Sequence, residues 1–334
     1  MPKRSNAKPR SPLRHRFARL VAGLALLTVL AIWGVQEAWG ESHWFTVYLT
    51  YAPPLLYVAM PAAALLVGLL CRDGRALAWA ALAVAVWVGA LARPSLHPPS
   101  RKPASAETFR VMTWNIHNDL LDIDDIGAQI AAADPDIVCL QEANAPRFRE
   151  AWLGADSAQT DSGVILTRGR LLSSRQIKVK GEGHYLRRLL EAKVELDGHR
   201  LNVLNVHLYS YQLAAALRNP SREQARELTE GAVEMRKLQL AQMTEWLEAQ
   251  RGPAVVAGDL NTPPRGKLYG RLAATATDAF AASGWGLGWT FPRKHPIIRI
   301  DYIWTTHDLR PVHCERLNVG PSDHLPVIAD IALR

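Results

Sequence analysis

Three uncharged apolar runs within the first ninety-two residues constrain this chain more than any other feature. Leu20 to Val35, Phe45 to Cys71 and Ala76 to Ala92 contain no Asp, Glu, Lys or Arg. A helix that spans a bilayer needs about 20 mostly apolar residues, with a range of about 17 to 25. The second run meets that length, although Pro53, Pro54 and Pro61 interrupt it, and the first and third meet it when flanking residues such as Phe17 and Leu91 contribute. About three transmembrane helices are therefore expected. A cleavable signal peptide is disfavoured because no small-residue cleavage site precedes the two later runs. The remaining alternative is a buried, soluble helical hairpin.

Charge follows the same division. Residues 1–103 carry a net +9 and the remainder −1, so the basic character belongs to the N-terminal part. A near-neutral C-terminal domain lacks the broad basic footprint of a protein that grips a nucleic-acid backbone electrostatically. Seven cations precede the first run: Lys3, Arg4, Lys8, Arg10, Arg14, Arg16 and Arg19. The first loop has only Glu37 and Glu41, and the second has Arg72 and Arg75. The positive-inside bias then places the N-terminus in the cytoplasm and, after three spans, the C-terminal domain outside it, in a multi-pass cell (inner) membrane protein. Arg93, Arg101 and Lys102 oppose this mildly. Cys71, Cys139 and Cys314 show neither metal spacing nor a paired framework.

The expected organisation is a cationic N-terminus and anchor over 1–92, a Pro/Ser-rich linker over 93–106 and one domain over 107–334. The domain alternates strand and helix signals. Phe109 to Trp114, Ile137 to Leu140 and Gly163 to Thr167 read as strands. Asp122 reads as an N-cap, with Ile123, Ile126 and Ile130 at helical spacing and Asp134-Pro135 as the stop. Leu189 to Leu196 and Leu201 to Val206 flank Asp197-Gly198, a strong hairpin signal. Arg222 to Gln250 carries Val233, Leu240, Met243 and Leu247 on one side of a long helix. Val255 to Ala257, Ile298 to Trp304 and Val327 to Ile331 add strands.

Polar clusters sit at or beside the ends of these strands. Val255-Val256-Ala257-Gly258-Asp259-Leu260-Asn261 is a buried strand running into a loop that presents a carboxylate and a carboxamide on one side. Such an Asp holds or deprotonates a water, and such an Asn donates to a developing oxyanion. Gly-Asp-x-Asn is also ordinary turn chemistry. The other clusters are Thr113-Trp114-Asn115-Ile116-His117, Leu140-Gln141-Glu142, Asn205-Val206-His207-Leu208, Arg299-Ile300-Asp301-Tyr302-Ile303 and Ser322-Asp323-His324-Leu325-Pro326. Each alone is equally a strand end or a turn.

Together and in this order, over about residues 108–334, the clusters resemble the endonuclease/exonuclease/phosphatase superfamily of DNase I-like, metal-dependent phosphoesterases, in a membrane-anchored bacterial type. The resemblance implies an α/β (α+β) domain built as a four-layer α/β/β/α sandwich. It also implies a divalent cation, with Glu142 the principal ligand, Asn115 beside it and Asp323 completing the metal or water environment. An oxygen-rich set of this kind suits Mg²⁺ or Mn²⁺. His207 would face the scissile phosphate, with Asn205 two residues earlier on the same side. Asp259 would orient or deprotonate water, Asn261 would contact phosphate oxygens, and Asp301 would fix the tautomer of His324.

The leading expectation is a membrane-anchored phosphoesterase that hydrolyses a phosphodiester or phosphomonoester by in-line attack of water. Lipid head groups, nucleic acid and small phosphate esters compete as substrates, the bilayer is the partner of the N-terminal helices, and no obligate protein partner is evident. The alternatives are a nuclease acting on extracytoplasmic nucleic acid and a non-catalytic receptor on the same fold. Only 19 residues separate Glu142 from Ser162, so the loop usually found there is short. Tyr209, Tyr211, Trp285, Trp289, Arg293 and Lys294 are candidate substrate contacts or plain surface and filler, and Tyr209 to Glu223 is a candidate flap.

Overall fold

The computed structural model describes residues 12–98, 108–117, 122–143, 155–160, 163–178, 189–219 and 221–334. Lys3, Arg4, Lys8 and Arg10, most of the expected linker, and Ser162 lie outside these residues. The chain packs as two compact units. One comprises Met1–Val35 and Ala52–Arg93, and the other comprises Gln36–Tyr51 and Pro94–Arg334. The expected division put 36–51 with the anchor, whereas its packing groups it with the C-terminal residues.

The first unit is helical. Helix α1 covers Pro12–Ala38, and the short α2 (Trp44–Tyr51) belongs to the second unit. Helix α3 covers Pro54–Cys71, and α4 (Gly74–Val86) continues as a π-helical turn over Trp87–Ala92. Pro12–Ala38, Pro54–Cys71 and Gly74–Ala92 are three helices long and apolar enough to cross a membrane. Small side chains form the centre of their contacts: Ala18, Ala22 and Ala25 cluster with Ala64, Cys71, Ala76 and Ala80, and Val21, Leu65 and Val67 pack against them. Leu20, Leu24, Leu27, Leu66, Leu69, Leu70 and Leu82 face outward. Asp73, between the second and third helices, caps α4 through the Ala76 N–H at 2.8 Å. It also pairs with Arg19 and His15, both at 2.9 Å, so the second loop and the N-terminal end of α1 lie together.

In the second unit, the first strand is β1 (Ser95–Leu96). Next come β2 (Thr108–Asn115), α5 (Ile123–Ala133), β3 (Ile137–Gln141), β4 (Asp156–Gln159), β5 (Gly163–Thr167) and β6 (Arg170–Ile177). The hairpin β7 (Leu189–Leu196) and β8 (His199–His207) precedes α6 (Leu213–Arg218), α7 (Arg222–Glu248) and β9 (Ala254–Asp259). After α8 (Gly266–Thr275) the chain adds β10 (Thr277–Asp278), α9 (Ala279–Ser283), β11 (Trp285–Gly286), β12 (Asp301–Thr305), β13 (Leu309–Arg316) and β14 (Val327–Leu333).

Two six-stranded sheets result, ordered β10-β12-β9-β8-β7-β6 and β13-β14-β2-β3-β5-β4. Each contains one parallel pair joined by a crossover helix: β2 and β3 through α5, and β8 and β9 through α7. The helix signals are sound at residue level. Asp122 accepts from Asp124 N–H at 3.0 Å, and Asp134 stops the helix in the left-handed region at φ 52°. Asp197 and Gly198 have φ 50° and 81°, as a tight hairpin turn requires.

Period-two alternation divides each central strand between two cores. Phe109 and Val111 of β2 face Ala192, Val203 and Ala257 between the sheets. Met112 and Trp114 of the same strand pack outward with Ile126 and Ile130 of α5. In the other sheet, Leu204, Val206, Val256 and Trp304 meet Leu240, Met243 and Leu247 of α7. Two sheets covered by helices form the four-layer sandwich, and burial on both faces explains why the central strands read as continuous apolar runs. One strand is shorter than expected: β12 starts at Asp301, because Ile298 makes an isolated bridge to Phe291 instead.

Candidate active site

The two sheets bring the polar clusters to one end of the sandwich. Asn115 and Gln141 are paired residues at the ends of β2 and β3. His207 and Asp259 are paired at the ends of β8 and β9, and Asp301 opens β12 directly opposite Asp259. Gly258 makes the β8–β9 approach possible: at φ 152° its position would put a Cβ 1.9 Å from the Val206 carbonyl oxygen.

Asp259 is the hub. It is 1% exposed. Its Oδ1 accepts from the Asn261 backbone N–H at 2.8 Å. Its Oδ2 accepts from the side-chain amides of Asn115 and Asn261, both at 3.1 Å. His207 Nε2 lies 3.6 Å from Asp259 Oδ2 and 3.6 Å from Glu142 Oε1. His324 Nε2 lies 3.9 Å from Asp259 Oδ2. Burial lifts the Asp259 carboxyl to about 6, with His324 opposing the shift and Asp301 adding to it.

His324 is held from several sides. Asp301 takes its Nδ1 with both carboxylate oxygens, at 3.0 and 3.1 Å. Its backbone carbonyl accepts from Trp114 Nε1 at 3.1 Å, and the Phe291 ring lies 4.7 Å from the imidazole. Burial works against the imidazolium, but Asp301 and then Asp259 outweigh it and push His324 up to about 10. A carboxylate on one ring nitrogen orients the other toward the site.

Glu142 follows β3 in the left-handed region (φ 53°), and its Oε1 accepts from Asn115 Nδ2 at 3.3 Å. His117 and Asn261 also adopt left-handed backbone, at φ 51° and 47°. All three lie in this polar cluster, the His117 N–H donating to Asn115 Oδ1 at 3.0 Å, and non-glycine residues kept in that region are what a functional site held by its surroundings looks like. Asp323 stands at the rim, 3.4 Å from His117 Nδ1. Ser322 ties that turn to the centre, donating to the Asn115 carbonyl at 2.7 Å and accepting from the His324 N–H at 3.1 Å.

A divalent cation fits this donor set. Asp259, Asp301 and His324 bring ligand atoms within 4.8 Å of one another. Within that group, however, Asp301 is committed to His324, and a charged imidazole offers no lone pair. Glu142 retains a partly exposed carboxylate beside the Asn115 carboxamide. Oxygen donors with access to water are what a hard cation needs.

One sequence expectation meets a different geometry. Asn205 does not support His207. It bridges the sheets, donating to the Leu140 and Val164 carbonyls at 2.8 and 2.9 Å and accepting from Gln141 Nε2 at 2.8 Å. Tyr211 is buried, edge-on to Tyr51 with ring centroids 4.7 Å apart, and so is filler. Trp285 and Lys294 are exposed, while Tyr209, Trp289 and Arg293 are half-buried. The Arg293 N–H donates to the Asp323 carbonyl at 2.6 Å, which puts that loop at the site's edge. Sequence reasoning gave Ser322 no role of its own and missed Phe291 and Arg236. The signal for Arg236 was a charge three residues from Val233 on the apolar side of a helix.

Residues 112–324 match the model of the Endonuclease/Exonuclease/phosphatase family, and the chain belongs to that family of phosphoester hydrolases. Comparison with curated proteins gave no match. Among solved structures, an endonuclease/exonuclease/phosphatase from Beutenbergia cavernae is 22% identical over 68% of this chain and 72% of its own, with TM-score 0.52. A mannosyl-6-phosphatase from Bacteroides thetaiotaomicron is 16% identical over 67% of this chain and 100% of its own, with TM-score 0.54. D. rerio TDP2 complexed with a single-strand DNA product is 18% identical over 67% and 99%, with TM-score 0.50. At these identities the likeness is one of fold.

Proposed function

We propose that the chain is a membrane-anchored, divalent-metal-dependent phosphoesterase that cleaves a phosphodiester or phosphomonoester by in-line attack of water. The observation that carries this reading is the buried Asp259 carboxylate, fixed by Asn115 and Asn261 and flanked by His207 and His324. Asp259 orients the water and takes its proton. His207 donates to the phosphate oxygens, and His324, aligned by Asp301, stabilises charge that develops on the phosphoryl group. Asn261, expected at those oxygens too, instead spends its two amide hydrogens on Asp259 and the Leu208 carbonyl and so fixes the base. Glu142, Asn115 and Asp323 would hold Mg²⁺ or Mn²⁺, which supplies Lewis-acid stabilisation of the non-bridging oxygens.

The organisation proposed is an anchor over 1–92, from which 36–51 packs with the catalytic unit, a linker over 93–106 and a catalytic domain over 107–334, facing outside the cytoplasm in the cell membrane. Small residues inside the helical unit and large ones outside suit a lipid surround. The anchor brings head-group esters close, and the domain's near-neutral charge gives duplex DNA little hold.

Hydrolysis of bis(p-nitrophenyl) phosphate by the full chain should vanish in EDTA and return with Mg²⁺ or Mn²⁺. Glu142→Gln should need far more metal for half-maximal rate, since a neutral amide replaces an anionic ligand. Full activity in chelator removes metal dependence, and a chain inert on every phosphoester leaves the receptor alternative. Reporters fused after residue 105 should be active only as extracytoplasmic reporters, and strong cytoplasmic activity there overturns the three-span topology.

A further inference from the structure

We infer that Gln36–Tyr51, which runs from the last turn of the first apolar helix to just before the second, is a brace of the catalytic unit, and that Tyr51 is a positioning residue for Asn261. The inference rests on the reading of Asp259 and Asn261 as catalytic groups.

Three polar contacts join this segment to the chain that follows Asp259. The Tyr51 hydroxyl donates to the backbone carbonyl of Asn261. Arg265 Nε, in a side chain 1% exposed, donates to the Thr50 carbonyl at 2.7 Å. Glu41 accepts through Oε2 from the Lys267 and Leu268 N–H groups at 3.0 and 3.4 Å. Those N–H groups belong to the first turn of α8, whose own N-cap residue, Arg265, supplies no side-chain cap. Glu41 therefore caps the helix from elsewhere in the sequence, and a carboxylate suits that end of the dipole.

Two glycines record how close the approach is. A Cβ on Gly266 (φ 81°) would stand 2.5 Å from Glu41 Oε1, and one on Gly40 (φ 50°) 2.8 Å from the Lys267 nitrogen. Apolar packing closes the contact: Val47 is buried with Tyr211, Ala232 and Val233, and Tyr51 packs against them. Burial pushes the Tyr51 hydroxyl well above its ordinary range, so it stays a donor.

Behind the same loop lies Arg236, fully buried on α7. It sits 4.5 Å over the Tyr211 ring, donates to the Leu260 carbonyl at 2.9 Å and donates to Thr262 Oγ1. The residues on both sides of Asn261 are thus held by Arg236, while Tyr51 holds the Asn261 carbonyl. This keeps Asn261 in its left-handed conformation, from which its N–H and side-chain amide grip both oxygens of Asp259. Losing the Tyr51 hydroxyl frees the Asn261 peptide without emptying the packed ring position.

The test compares Tyr51→Phe and Val47→Ala with wild type, using the full chain in detergent. Tyr51→Phe should lower kcat on bis(p-nitrophenyl) phosphate about three- to tenfold, the worth of one hydrogen bond. KM and melting temperature should change little, and amide hydrogen exchange should rise in the peptide spanning 258–263 but not in β7. Val47→Ala should lower the melting temperature with kcat near wild type at 25 °C. Unchanged exchange at 258–263 in Tyr51→Phe overturns the inference. So does a kcat loss in Val47→Ala matching that of Tyr51→Phe, because the segment would then act through stability alone. Should wild type hydrolyse no phosphoester, the functional reading fails, while the exchange measurement still decides whether the brace exists.

Discussion

Asp259→Asn and His324→Ala are each expected to reduce kcat by about a hundredfold or more, with folding intact. Removing a positioned acid or base typically costs about 10² to 10⁴ in rate, and removing one transition-state donor about 10² to 10³. Asn at 259 keeps the shape and one acceptor for the Asn261 N–H but loses the charge that takes a proton from water. It also turns an amide toward Asn115 and Asn261, which already donate there. Ala at 324 removes the group that Asp301 aligns and leaves Asp301 buried without its imidazole partner. Some loss of melting temperature is therefore expected for both variants, from an unpartnered carboxylate in His324→Ala and from opposed donors in Asp259→Asn. The double variant should retain more activity than the product of the two single losses, because the groups act as a unit. Near wild-type kcat in either variant removes the role assigned to that residue, and in both it moves catalysis away from this site.

Much of this site was legible because its residues follow buried strands. Val255 to Asp259 announces both the strand and the residue at its end, since a strand buried on both faces is apolar until it emerges. The same logic found His207 after Asn205-Val206 and Glu142 after Gln141. It misassigned Asn205, because alternation tells which face a side chain takes but not whether a partner from the opposite sheet is waiting. Gln141 was that partner, 64 residues away. The strands that escaped reading are edges: β4, β6 and β13 each end a sheet. Edge strands carry mixed, half-exposed sequences such as Arg170–Ile177, so their period-two signal is weak. The brace was illegible for another reason. Glu41, in the first loop, and Tyr51, at the end of α2, lie in a stretch that composition assigns to the anchor, and their partners are more than two hundred residues away.

Among the described glycines, Gly258→Ala should have the largest effect of any added methyl. The residue pairs with Val206 on one side and Tyr302 on the other, in the middle of the sheet. Its φ of 152° is strained for an L-residue, and the new Cβ would stand 1.9 Å from the Val206 oxygen and 2.8 Å from its carbonyl carbon. Both are backbone atoms, so no side-chain rotation relieves the clash, and β8 and β9 must separate. Strain of this kind places the change in the severe class, at about 4 kcal/mol or more. His207 and Asp259 are the next residues on the two displaced strands, and a misplacement of about 1 Å costs on the order of a hundredfold in rate. Molecules that do fold should therefore be poor catalysts as well as scarce. Gly270→Ala is the matched control: it sits within α8, and its added Cβ meets nothing within 4 Å. Replacing glycine by alanine inside a helix stabilises by about 1 kcal/mol, so that variant should melt slightly higher with kcat unchanged. Thermal melting of both variants in detergent, with kcat per folded molecule, checks the pair, and a wild-type melting temperature for Gly258→Ala would show that the β8–β9 contact is looser than its geometry implies.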